Sequence, residues 1–185
     1  MTPRAWLGAV LGLAVAAAGA AAAVPHGGPS QAGQGGWQEI RWPFPRDAWP
    51  AGRAFRCAGV GCGGAMEVYV RPKVGFCNCA TGVSGDAEVD GVSDLDMISP
   101  DFRPLAAGEP VVAGGMPGRV RRYVLTTGDG REHMAAGFAL SAKCDLVAAA
   151  ALGPAAGTDA ARDAIMALLA SPGIAGWIGS KLGKA

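Results

Sequence analysis

Histidine is nearly missing from this chain. Its 185 residues include two, His26 and His133, and only His133 falls in a segment expected to fold. That shortage removes the commonest metal ligand and the commonest general base. The remaining catalytic signatures are missing too. The closest approach to a Gly-x-Ser-x-Gly elbow is Gly82-Val83-Ser84, which runs on into Gly85-Asp86. There is no His-Glu-x-x-His, no phosphate-cradling loop and no dinucleotide fingerprint. His133, beside Glu132 and a turn, reads as a surface residue, so no catalytic residue is assigned and an enzyme is not the favoured reading. Excess charge of either sign is missing as well. Sixteen basic residues face 15 acidic ones, a net charge of +1, which gives no bulk attraction to nucleic acid or to an anionic membrane. Beyond residue 23 no apolar run is long enough to span a bilayer.

What is present begins with an export signal. Arg4 supplies a basic start, an apolar run follows from Trp6, and Ala21 and Ala23 fit a small-x-small cleavage site, so residues 1–23 read as a signal peptide. The run is built of Ala and Gly rather than Leu and Ile, which makes it a weak permanent anchor. The expected location is therefore the periplasm, or outside the cell, with no membrane attachment after cleavage. Without Arg4 the basic count falls to 15, equal to the acidic count. Residues 24–36 are rich in Pro, Gly, Gln and Ser and read as a flexible linker. Residues 37–185 then form one α+β domain, opening with a Trp/Pro-rich arm that carries Trp37, Trp42, Phe44 and Trp49. Three tryptophans on an extended arm are expected to pack back onto the domain, since each buries about 200 Å².

Local patterns order the rest. Ala54–Cys57 and Met66–Arg71 read as strands across a glycine-rich loop. Ser84–Ile98 reads as a helix with Ser84 as N-cap and a narrow face of Val89, Val92 and Leu95. Arg119–Thr127 and His133–Ser141 flank Gly128-Asp129-Gly130, a hairpin signal. Asp145–Leu152 reads as a central strand. Thr158 caps a helix carrying Ala161, Ile165, Leu168 and Leu169, which Ser171-Pro172-Gly173 ends. Ile174, Trp177, Ile178 and Leu182 then recur at helical spacing. Strands followed by helices predict an antiparallel sheet covered on one face by C-terminal helices, the whole stapled by disulfides.

Five cysteines follow the export signal. In an oxidising compartment they make two disulfides and leave one sulfur over. Cys57 and Cys62 span a glycine-rich loop that allows a local bridge, and Cys144 is placed to reach one member of the Cys77-Asn78-Cys79 pair. The expected disulfide residues are Cys57, Cys62, Cys79 and Cys144, with Cys77 as the free thiol. Two alternatives use the same pair: a soft-metal site for Cu(I) or Zn²⁺ at Cys77 and Cys79, or thiol–disulfide exchange. No Cys-x-x-Cys motif supports the second, and no zinc-knuckle spacing supports the first. No cofactor is expected.

The stretch Phe55-Arg56-Cys57, Cys62-Gly63, Val68-Tyr69-Val70-Arg71-Pro72-Lys73, Gly75-Phe76-Cys77-Asn78-Cys79, Gly82-Val83 and Val92-Ser93-Asp94 resembles a family of exported, cysteine-containing alphaproteobacterial proteins. The likeness runs on through Lys143-Cys144-Asp145. It implies export and a single domain, and brings no activity, cofactor or catalytic residue with it.

Two charged groupings remain. Asp86-Ala-Glu88-Val-Asp90-Gly91 starts like an EF-hand loop, with Asp94 and Asp96 further on. The position that needs a bidentate glutamate is Met97, and Ser93 stands where an apolar residue belongs. These carboxylates are expected to form the solvated face of a helix. Arg119, Arg121, Arg122 and Arg131 cluster on one hairpin, where they either meet an anionic partner or decorate an exposed sheet. The chain therefore reads as an exported binding or accessory protein whose partner is a periplasmic protein or small ligand.

Overall fold

The computed structural model describes residues 36–45, 47–75 and 78–182. The expected signal peptide (1–23), most of the linker (24–35), His26 and Cys77 lie outside the described residues. The chain forms strands β1 (Gln38–Ile40), β2 (Arg53–Cys57) and β3 (Met66–Lys73), helix α1 (Asp86–Val92), and strands β4 (Phe102–Pro104) and β5 (Glu109–Ala113). Three longer strands follow, β6 (Met116–Thr126), β7 (Glu132–Ala142) and β8 (Asp145–Leu152), then helices α2 (Asp159–Ala170) and α3 (Pro172–Lys181). The eight strands make one antiparallel sheet in the order β1-β2-β3-β8-β7-β6-β4, with β5 also on β6.

Alanine dominates the two central strands, although it favours helix over strand. Packing overrides that preference. Ala136 faces Ala151, Gly137 faces Ala150 and Phe138 faces Ala149 across β7–β8. This band of small side chains lets a layer approach closely from either side. Alternate residues serve the two layers. Val68, Val70, Phe138, Leu140, Val147 and Ala149 turn toward Ile165, Leu168, Leu169, Ile174 and Ile178 of α2 and α3. Thr158 Oγ1 accepts the Ala161 N–H at 3.1 Å and starts α2, and Pro172 opens α3.

The second face is covered too, by shorter pieces. Tyr69, Tyr123, Leu125 and Ala150 pack under Leu95, Phe102 and the arm residues Trp42 and Phe44. Val89 and Val92 of α1 lie on Ala139, Leu146 and Ala148. Gly137 shows how close this layer sits, since a Cβ there would stand 2.5 Å from Ser93 Oγ.

Several boundaries differ from the sequence expectation, each for a physical reason. The helix expected over Ser84–Ile98 is α1 alone, with Gly85 rather than Ser84 at its N-cap. Glu88 reaches back to accept the Gly85 N–H at 2.9 Å. Asp94 then takes a left-handed φ of 63° and breaks the helix, leaving a single 3₁₀ turn at Leu95–Met97. The first residues of the arm join the sheet as edge strand β1. The central strand is β8 with the expected bounds, and Cys144 lies in the two-residue turn before it. Residues 99–118 carry no periodic signal, and β4 and β5 form there along one side of β6, with Pro104 and Pro110 on the edge where a missing N–H is tolerated. Pro72 lies inside β3 but past the last β2 pairing at Val70, so only β8 flanks it.

Candidate functional site

The charges of the second face meet one another. Along α1 and the turn after it, Asp86, Asp90 and Asp94 recur every four residues. Opposite them, β6 turns Arg119, Arg121 and Tyr123 to the same face. Arg119 donates to Asp86 Oδ1 from Nε (3.0 Å) and Nη2 (2.7 Å). Arg121 Nη1 donates to Asp90 Oδ2 at 2.6 Å, and Tyr123 Oη donates to Asp90 Oδ1 at 2.6 Å. The Gly108 N–H, then Arg119, hold the Asp86 carboxyl below the usual carboxylate range. Burial, with Asp90 beside it, pushes the Tyr123 hydroxyl up. The EF-hand-like run is therefore a latch onto the sheet rather than a solvated helix face, with exposed Asp96 standing outside it. No group of three or more His, Cys, Asp or Glu side chains among the described residues is arranged to hold a metal ion.

The third rung is buried. Arg71 and Lys73, each 4% exposed, and Asp94, 6% exposed, share one site beside Tyr69. Arg71 grips Asp94 with two parallel bonds, Nε to Oδ2 at 2.9 Å and Nη2 to Oδ1 at 2.8 Å. Lys73 Nζ donates to Asp94 Oδ1 at 2.6 Å and to the Val92 carbonyl at 3.0 Å. Two buried cations against one buried anion leave one positive charge. Asp47 of the arm supplies its counterpart, accepting from Arg71 Nη1 at 2.6 Å. That bond draws the Asp47 carboxyl below its ordinary range. Trp42 lies over Arg71 and Trp49 over Lys73, each 6.0 Å from ring centroid to cation. Trp42 and Phe44 meet Tyr69 edge-on at 6.2 and 4.8 Å. The arm is thus a strap across a buried ion cluster.

Sequence reasoning had not singled out Arg71 and Lys73 as a site. The available signal was two cations at i and i+2 on an otherwise apolar strand, which places both on one face. Ser93 Oγ is the one buried side-chain polar atom among the described residues without a hydrogen-bond partner.

The remaining charged candidates disperse. Arg122 points to the helix side and pairs with Asp159 at 2.5 Å and Glu109 at 3.3 Å. Arg131 pairs with Asp129 at 2.5 Å in the exposed hairpin turn, where Thr127 and Arg131 together hold the Asp129 carboxyl down to about 2. Glu132 pairs with Arg103 at 3.2 Å. His133 lies opposite Leu125 near the start of β7, with no carboxylate or nucleophile bonded to it among the described residues.

Four cysteines form two disulfides. Cys57 bonds Cys62 across the β2–β3 loop, with Cα atoms 6.3 Å apart. Cys79 bonds Cys144, joining the segment after β3 to the β7–β8 turn with Cα atoms 4.2 Å apart. The first pair is buried in the helix-side core. The second lines a cleft of about 960 Å³ enclosed by residues 79–83, the β5–β6 turn at Gly114 and Gly115, the β7–β8 turn and the end of α3. Its 79–83 wall is locally fixed. Asn78 Oδ1 accepts from Ala80 N (2.9 Å) and Thr81 N (3.2 Å), and Ser141 Oγ accepts from Val83 N at 2.7 Å. Gly82 has φ 59°, and a Cβ there would come within 2.5 Å of Ser141 Oγ.

No family model and no curated protein matches the chain. Among solved structures, the chain is similar to a protein of unknown function from Pseudomonas aeruginosa at 12% identity. The match covers 73% of this chain and 94% of that one, with a TM-score of 0.42, and it carries no functional argument.

Proposed function

We propose that the chain is an exported, disulfide-stabilised binding or accessory protein of the periplasm or extracellular space, and that the cleft beside Cys79 and Cys144 seats its ligand. One observation carries the reading: a disulfide lies in the wall of a 960 Å³ cleft whose 79–83 segment is held by hydrogen bonds to the Asn78 and Ser141 side chains. A preformed concavity of this size suits a ligand, and a disulfide belongs to an oxidising compartment. The leader-like composition of residues 1–23 and the resemblance to exported alphaproteobacterial proteins point the same way. Among the described residues no helix is long and apolar enough to cross a membrane.

Expression of the full chain in a Gram-negative host tests the reading. The expected product is a periplasmic protein shortened by its leader, with two disulfides in its intact mass. Retention in the cytoplasm with reduced cysteines contradicts it.

A second reading has its own observation. Because the Cys79–Cys144 bond lines an open cleft, a substrate thiolate could attack one sulfur, form a mixed disulfide and release the other as thiolate. Cys77 precedes Cys79 by two residues in the sequence. A mixed disulfide trapped on a Cys77→Ser or Cys79→Ser variant supports exchange, and failure to trap one removes it. Copper binding by Cys77 and Cys79 is less supported, since the Cys79 sulfur is bonded to Cys144.

A further inference from the structure

A smaller and more enclosed cavity, of about 230 Å³, lies where the arm meets α3. Its walls are apolar: Trp49, Pro50 and Ala51 of the arm, Pro72 and Val74 from β3 and its end, and Trp177 of α3. Lys181, one turn beyond Trp177, stands at its border.

Both tryptophans are held from outside the cavity by a cation. The Arg53 guanidinium lies 5.5 Å from the Trp177 ring and Lys73 Nζ lies 6.0 Å from the Trp49 ring. Those two cations already have carboxylate partners, Glu39 for Arg53 and Asp94 for Lys73. Lys181 is different. Its ammonium forms no ion pair or hydrogen bond with any described residue.

We propose that this cavity is a binding site for a small aromatic monocarboxylate, its ring between Trp49 and Trp177 and its carboxylate on Lys181. At about 230 Å³ the cavity is smaller than the roughly 300–1,000 Å³ of drug-sized pockets, which restricts it to a single-ring body. The chemistry fits as well. Aromatic and proline walls recognise a flat apolar body, and a single ammonium unpaired among the described residues recognises one negative charge. The rings are preorganised, so binding orders little. A ligand here would touch both the arm and α3, tying the strap to the helix layer. This inference is independent of the cleft beside Cys79, and either can fail without the other.

Benzoate titrated into the mature protein tests it, with tryptophan emission as readout and benzamide as the neutral match in shape. Saturable quenching by benzoate is expected, with benzamide and the exposed Lys181→Gln variant each about tenfold weaker, as loss of one charge-assisted contact implies. Trp177→Phe keeps an aromatic wall and should retain binding, whereas Trp177→Ala should lose it. Non-saturating quenching, equal affinity for benzamide, or unchanged affinity in Lys181→Gln would overturn the proposal. So would saturable binding of a proline-rich peptide at these residues in place of benzoate.

Discussion

The two faces of the sheet are held by different physics. On one, α2 and α3 bury Ile165, Leu168, Leu169, Ile174 and Ile178 against an apolar surface. On the other, the covering pieces are short, and what fixes them is a ladder of carboxylates on arginines together with a few aromatic contacts. Apolar burial is nearly indifferent to pH and salt, whereas ion pairs are not. One layer should therefore persist under conditions that loosen the other. The strap and α1, both on the looser face, are also where the sequence departs furthest from regular structure.

The sharpest way to break the contrast is Asp94→Ala. It removes the buried carboxylate that both Arg71 and Lys73 bond, and stranding buried charge in this way costs about 3–5 kcal/mol. Chemical denaturation measures it, and a loss near zero would mean that water reaches the cluster freely. Leu169→Ala, on the helix face, is expected to cost about 3 kcal/mol through lost burial and a residual cavity. Its loss should be the same at low and high salt, whereas the partly exposed Asp47–Arg71 pair of the other face should weaken as salt rises.

Acid sharpens the comparison further. Asp47 and Asp86 are both held below their ordinary carboxyl range in the folded protein. Their contribution is complete above that ordinary range and is lost as pH falls through the lowered folded values. Tryptophan emission in a variant with Trp37 and Trp177 replaced by Phe, which leaves Trp42 and Trp49 on the strap as reporters, should thus change on acidification before far-UV circular dichroism reports loss of α2 and α3. Simultaneous change in both signals would remove the distinction between the faces. The smallest effect is expected from Asp47→Asn, about 0.5–1 kcal/mol for a partner 41% exposed. That variant should also lose part of the acid-induced emission change.

Elements specified by local pattern were legible in the sequence. Gly128-Asp129-Gly130 marked the β6–β7 turn, Thr158 marked the start of α2, and the order of strands before helices gave the α+β class and the face that the helices cover. The second face was not legible, because its partners are far apart in the chain. Asp86 and Arg119 are 33 residues apart, and Arg71 and Asp94 are 23 apart. Read separately, the acidic run looked like a defective calcium loop and the arginines like an exposed patch. Arg119 and Arg121 with Asp86 and Asp90 are the two halves of one latch. β4 and β5 escaped notice because edge strands with proline and exposed charge have no alternating pattern to read. The cleft joins three loops and the end of a helix, and only its cysteines left a local signal.

Disulfide linkage and thiol count bear most directly on the claim of an exported, disulfide-stabilised domain. Non-reducing peptide mapping of the mature protein after alkylation should yield a Cys57–Cys62 peptide, a Cys79–Cys144 peptide and a single alkylated thiol at Cys77. A Cys77–Cys144 linkage, or three or more alkylated cysteines, would contradict the account.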